Sequence, residues 1–151
     1  MFVVSLRNTV MEIYNLKEDL KLFCVTAKSF PYEIKQAFGS LISLLPDVEG
    51  RTFFGIAYQK NDGTMIYKAA VLEAYEGEAE KLNCEKFIIE KGEYLTETLK
   101  DWKKDETMIG LTFKKFADSK YNATFPCVEW YKGDDVMCMV RLVKEKTSKK
   151  K

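Results

Sequence analysis

Histidine is absent from this 151-residue chain. That absence removes Ser-His-Asp and Cys-His catalysis, HExxH zinc sites and histidine-ligated haem in one step. Cysteine is sparse: Cys24, Cys84, Cys127 and Cys138, no two of them spaced as C-x-x-C. Three of the four sit in apolar runs, where cysteine acts as a small hydrophobe. Structural thiols are expected, rather than disulfides or a metal site, and no cofactor is implied. No apolar run approaches the ~18 residues of a membrane helix. The opening "MFVVSL" is too short for a signal-peptide core and is interrupted by Arg7 and Asn8. The expectation is a soluble, cytoplasmic protein with no membrane partner. A dominant charge is missing too, since the net is only +1. The last eight residues, "KEKTSKKK", hold five lysines and one glutamate, which leaves the body slightly acidic. Such a body does not suit phosphate tracking, so no direct, specific nucleic-acid binding is expected, and the basic tail at 145–151 reads as a solvated end.

What the chain does have is a 46% hydrophobic, 31% charged composition, enough for one globular domain over 1–151. Its pattern is strand–helix–strand–strand, twice. "LKLFCVTA" is a strand. Ser29 is positioned to cap a helix starting at "FPYE", whose Ile34, Phe38, Leu41 and Leu45 share a face. "RTFFGIAYQ" and "TMIYKAAVLEAY" flank Asp62-Gly63, a strong hairpin signal. The polar connector "EGEAEKLN" separates this module, 10–76, from a second at 84–144. There "CEKFIIEKGEYLTETL" reads as a strand broken at Gly92, Asp105 can cap a helix presenting Ile109, Phe113 and Phe116, and a hairpin turns at Gly133-Asp134. The predicted fold is α+β with a pseudo-twofold duplication. The two first strands join edge to edge, giving one antiparallel sheet whose two helices flank a groove.

One residue resists this pattern. Glu129 interrupts an apolar strand, "CVEWYK", whose hairpin partner "VMCMV" has no polar face. Alternation puts Glu129 and Tyr131 on one face, read as facing the groove. An unpaired buried carboxylate attracts a cation, and a cationic aromatic ligand supplies both charge and stacking. Tyr58, with Phe54 and Ile56, is assigned to the matching face of the first module, where plain core packing is the competing reading and the preferred one for Phe54 and Ile56. Tyr67 on the partner strand, Tyr94 and Trp102 are further candidates for the groove wall, and Tyr32 for a gate.

The duplicated order, "FPYEIKQAFGSL", "FFGIAY", "KGEYL" and chiefly "PCVEWY" before "VMCMVRL" make the chain resemble the gyrase-inhibitor-like small-molecule-binding domain. That domain also serves as the effector-binding domain of AraC-type and MerR-type transcription regulators. The resemblance spans about Val10 to Lys144. It implies binding of hydrophobic, often cationic compounds, with Glu129 and Tyr131 lining the pocket. Nothing in the lead-in resembles a helix-turn-helix, so the stand-alone form is implied, serving sensing, sequestration or regulation. Two alternatives stay open. One is a small-molecule hydrolase of this fold using Glu129 and Tyr131. The other is a gyrase-inhibitor-type module acting on a protein partner.

Overall fold

The computed structural model describes residues 10–143, so the basic tail lies outside the described residues. The chain forms β1 (Glu12–Leu16), β2 (Leu20–Thr26), α1 (Ile34–Ser43), β3 (Phe53–Gln59), β4 (Met65–Leu72), α2 (Glu78–Lys81), β5 (Glu85–Ile89), β6 (Gly92–Leu99), a 3-10 turn at Trp102–Lys104, α3 (Thr107–Asp118), β7 (Ala123–Lys132) and β8 (Asp135–Leu142). All eight strands lie in one sheet, ordered β1-β6-β8-β7-β3-β4-β2-β5, and every neighbouring pair is antiparallel. The fold is α+β.

Local chemistry accounts for the joints. Both hairpins form where expected: Asp62 Oδ1 accepts the Thr64 N–H at 2.9 Å in the first, and Gly133 takes φ 65° in the second, a conformation glycine adopts without a steric cost. Asp105 Oδ1 accepts the Thr107 N–H at 3.3 Å at the start of α3. Ile109, Phe113 and Phe116 of α3 pack together on Leu95, Val136 and Val140. Leu41 and Ala37 anchor α1 on Phe23, Ala69 and Val71. The opposite face of the sheet is buried as well. It curls so that Leu22, Phe54, Ile56, Ile89, Val128 and Met139 form a second core without a helix.

Three expectations are corrected. The halves do not join through their first strands; they join through β3 and β7. The outer edges of β2 and β6 are already paired, β2 with β5 and β6 with β1, and a strand with two neighbours has no edge left to offer. The segment around Gly92 is not one broken strand. β5 and β6 belong to opposite margins of the sheet, and the turn between them is held by the Lys91 N–H on Asp19 Oδ1 at 2.8 Å. Finally, α1 begins at Ile34 without a side-chain cap. Ser29 contributes only its carbonyl, to the Glu33 N–H at 3.2 Å, because Phe30 turns down to stack on Tyr67 before the helix starts.

Candidate functional site

Glu129 and Tyr131 lie on the sheet face that carries the helices, while Val128 and Trp130 enter the opposite core. The β3–β7 register decides what surrounds the carboxylate, because Gly55 stands directly opposite Glu129. A glycine inside a strand marks close approach by another group. Here a Cβ at Gly55 would lie 2.0 Å from Tyr67 Oη and 2.3 Å from Glu129 Oε1. Tyr67 reaches across from β4 through that space. Its Oη donates to Glu129 Oε1 at 2.8 Å, and Tyr131 Oη donates to the same oxygen at 2.6 Å. Oε2 accepts no hydrogen bond among the described residues.

The electrostatics follow from this crowding. Burial raises the Glu129 pKa above the ordinary carboxylate value, and the two phenol hydrogen bonds only partly oppose it. Burial and the neighbouring Glu129 also push both phenols upward, so they remain protonated donors. Cys127 and Cys138 flank the carboxylate. Burial, then Glu129, raises the Cys127 thiol to about 11 and pushes Cys138 up as well. Among the described residues no lysine or arginine offsets Glu129. A contrast lies one strand away. Cys138 pairs with both Glu129 and Glu97, and Glu97 is neutralised by Lys115 of α3 at 2.7 Å. Of the two carboxylates in this row, the buried Glu97 is balanced by a lysine and the half-buried Glu129 has no basic partner among the described residues.

Aromatic rings close over the unpaired one. Phe30 stacks on Tyr67 with centroids 5.6 Å apart and planes 13° from parallel. Phe38 of α1 meets Tyr67 at 6.3 Å and Tyr131 at 6.2 Å, each edge-on. Trp102 meets Tyr131 at 5.3 Å. Its turn is pinned to the β7–β8 hairpin by the Trp102 N–H on the Asp134 carbonyl and the Asp101 N–H on Asp135 Oδ1, both 3.2 Å. The acidic pairs there are turn chemistry, as their sequence suggests.

The structure thus brings Glu129, Tyr131, Tyr67 and Trp102 together. It places Tyr58, Phe54 and Tyr94 on the far side of the sheet, which corrects the face assigned to them. Phe54 packs on Trp130 at 5.2 Å, Tyr58 lies under Lys68 Nζ at 5.8 Å, and Tyr94 Oη donates to the Glu90 carbonyl. The reason is register: Gly55, not Phe54 or Ile56, aligns with Glu129. Tyr32 is 83% exposed, and Phe30, two residues earlier, takes the position over the site. Gly55, Phe30 and Phe38 were not singled out from sequence, although a glycine inside "FFGIAY" was a readable sign.

No protein-family model and no curated protein sequence matches the chain. Solved structures do. An integron cassette protein from the mobile metagenome of Vibrio cholerae aligns with a TM-score of 0.64 at 12% identity, covering 90% of this chain and 99% of its own. The fold is shared. The protein SAV2435, bound to tetraphenylphosphonium, aligns at 0.61 with 13% identity, covering 89% and 94%. A hydrolase from Listeria innocua aligns at 0.56 with 10% identity, covering 88% and 91%. Identities this low establish the fold alone.

Proposed function

We propose that the chain forms a gyrase-inhibitor-like binding domain that holds hydrophobic cations at Glu129. The observation that carries this reading is a carboxylate with one oxygen fixed by two phenols, the other unengaged and no basic partner among the described residues, with the rings of Phe30, Phe38 and Trp102 packed on those phenols. A cation supplies the missing charge, and the rings supply stacking and cation–π contact. The neighbour that carries tetraphenylphosphonium supports the same ligand class. The duplicated module belongs to the reading. Adding four to the numbers of β3, β4 and β2 gives β7, β8 and β6, the two arms of the sheet read outward from its centre, and each arm ends on a strand from the other half, β5 and β1. No helix among the described residues is long and apolar enough to cross a membrane.

The test is a titration with phenyltrimethylammonium and its neutral isostere tert-butylbenzene, followed by tryptophan fluorescence. The cation should bind at least tenfold more tightly. Equal affinities would overturn the reading. No binding of either, nor of tetraphenylphosphonium, would favour the protein-interaction alternative, in which side chains rather than a ligand occupy the space over Glu129. Turnover of an electrophilic substrate, lost in Glu129→Gln, would favour the hydrolase alternative, for which a raised carboxyl pKa suits proton transfer.

Two further results are expected. Cation affinity should rise with pH through the raised Glu129 pKa, because only the carboxylate form attracts the ligand. Below that pKa, binding should release a proton, read as a buffer-dependent heat in calorimetry. Sequence-selective DNA binding at physiological salt should be absent in a gel shift, and any weak binding should fade with added salt.

A further inference from the structure

A second site lies on the far side of the sheet, at the mouth of the core that carries no helix. There β5 curls towards β7 and β8 and leaves a depression of about 110 Å³. Its walls include Phe87, Ile88, Ile89, Pro126 and Val128, and the one basic group among them is Arg141. Ile88 is 49% exposed, so the apolar wall is reachable from solvent.

Arg141 is held by one end only. Its Nη1 donates to the Glu90 carbonyl at 3.2 Å and to Tyr94 Oη at 3.3 Å, and the guanidinium carbon sits 5.7 Å from the centroid of the Tyr94 ring. The group lies against Gly92, where a Cβ would come within 2.8 Å of Nη2. These contacts fix the plane of the guanidinium. They leave the Nε and Nη2 hydrogens of this 34% exposed side chain without a hydrogen bond among the described residues. That edge is the one that grips a carboxylate through two parallel bonds. The nearest acid, Glu90, is a loose partner: its Oε1 is 3.9 Å away and its side chain is 73% exposed.

We propose that this depression binds a small apolar monocarboxylate, its carboxylate on the free edge of Arg141 and its body against Ile88, Pro126 and Val128. A cavity of 150 Å³ accommodates benzene, so about 110 Å³ with an open mouth suits a body of roughly four to six carbons. The protein then carries two sites of opposite charge preference on opposite faces of one sheet. This inference does not depend on the proposed function of Glu129.

The test is a two-dimensional NMR titration with benzoate, neutral benzamide and acetate. Benzoate should shift the amides of residues 87–90 and 94 in a saturable way, with benzamide and acetate much weaker. Arg141→Gln should weaken benzoate roughly tenfold or more. Arg141→Lys, which keeps the charge but not the paired edge and guards against a folding defect, should still lose several-fold. Glu90→Gln should tighten binding by removing the competing carboxylate. The proposal fails if benzoate gives no saturable shift at tens of millimolar, if the shift survives in Arg141→Gln, if benzamide matches benzoate, or if the perturbed amides surround Glu129.

Discussion

Glu129→Gln should weaken a cationic aromatic ligand by about 10- to 150-fold while leaving its neutral isostere almost unchanged. A hydrogen bond or contact to a charged group contributes roughly 1.5–3 kcal/mol, and that range converts to the stated factor. Glutamine keeps the shape of the side chain and an acceptor for the two phenols, so loss of charge is the only large change. The same variant should behave differently without ligand. In wild type the folded-state pKa of Glu129 is raised by burial, so the unfolded chain ionises first as pH rises. Stability therefore declines from near the unfolded carboxyl pKa up through the folded one. Glu129→Gln lacks that decline and should be at least as stable as wild type at neutral pH in urea unfolding. Equal ligand losses for cation and isostere would reject charge selection. A strongly destabilised Glu129→Gln would show that the carboxylate is a structural anchor instead.

Gly55→Ala should strongly destabilise the sheet. The new Cβ would meet Tyr67 Oη at 2.0 Å and Glu129 Oε1 at 2.3 Å, well inside contact distance. Ala69 flanks Gly55 on the other side, so the strand is fixed between two neighbours and cannot move aside. The expected cost is about 2–4 kcal/mol, combining overpacking with loss of the Tyr67–Glu129 bond. Denaturant midpoints would measure it, and cation binding should fall together with stability. Adding Tyr67→Phe to Gly55→Ala should recover part of the loss, because one of the two colliding oxygens is gone. Strictly additive costs would mean that Tyr67 and Gly55 do not share the space described above.

The contrast between what could and could not be read in the sequence follows from range. Asp62-Gly63, Gly133-Asp134 and the face formed by Ile109, Phe113 and Phe116 are local signals, and each gave its element. Glu129 stood out because a carboxylate inside an apolar strand conflicts with its neighbours, and alternation alone tied it to Tyr131. Alternation works only within a strand, so it does not place Tyr58 relative to Glu129. Relating β3 to β7 needs their register, and that is set by a pairing between residues more than seventy positions apart. The choice of β3 and β7 as the central pair was hidden for a related reason: it depends on β1 and β5, short strands with weak patterns, occupying the outer edges first. Phe30 precedes the helix in a turn, where periodicity says nothing about which way a side chain faces.

The two margins of the sheet have a consequence for how the chain is made. β1 is synthesised well before β6, its only strand partner among the described residues, and Glu12 and Thr96 are 84 positions apart. β2 likewise must wait for β5 to cover its second edge. The first half therefore cannot complete itself as it leaves the ribosome. It emerges with β1 unpaired and β2 open, both edges that other chains can join. Closing such long loops costs entropy before contacts repay it, so folding should be slow for a protein of this size. Each half finishes the other's border, and a chain severed at the connector would leave two pieces with mutual need and no separate native state.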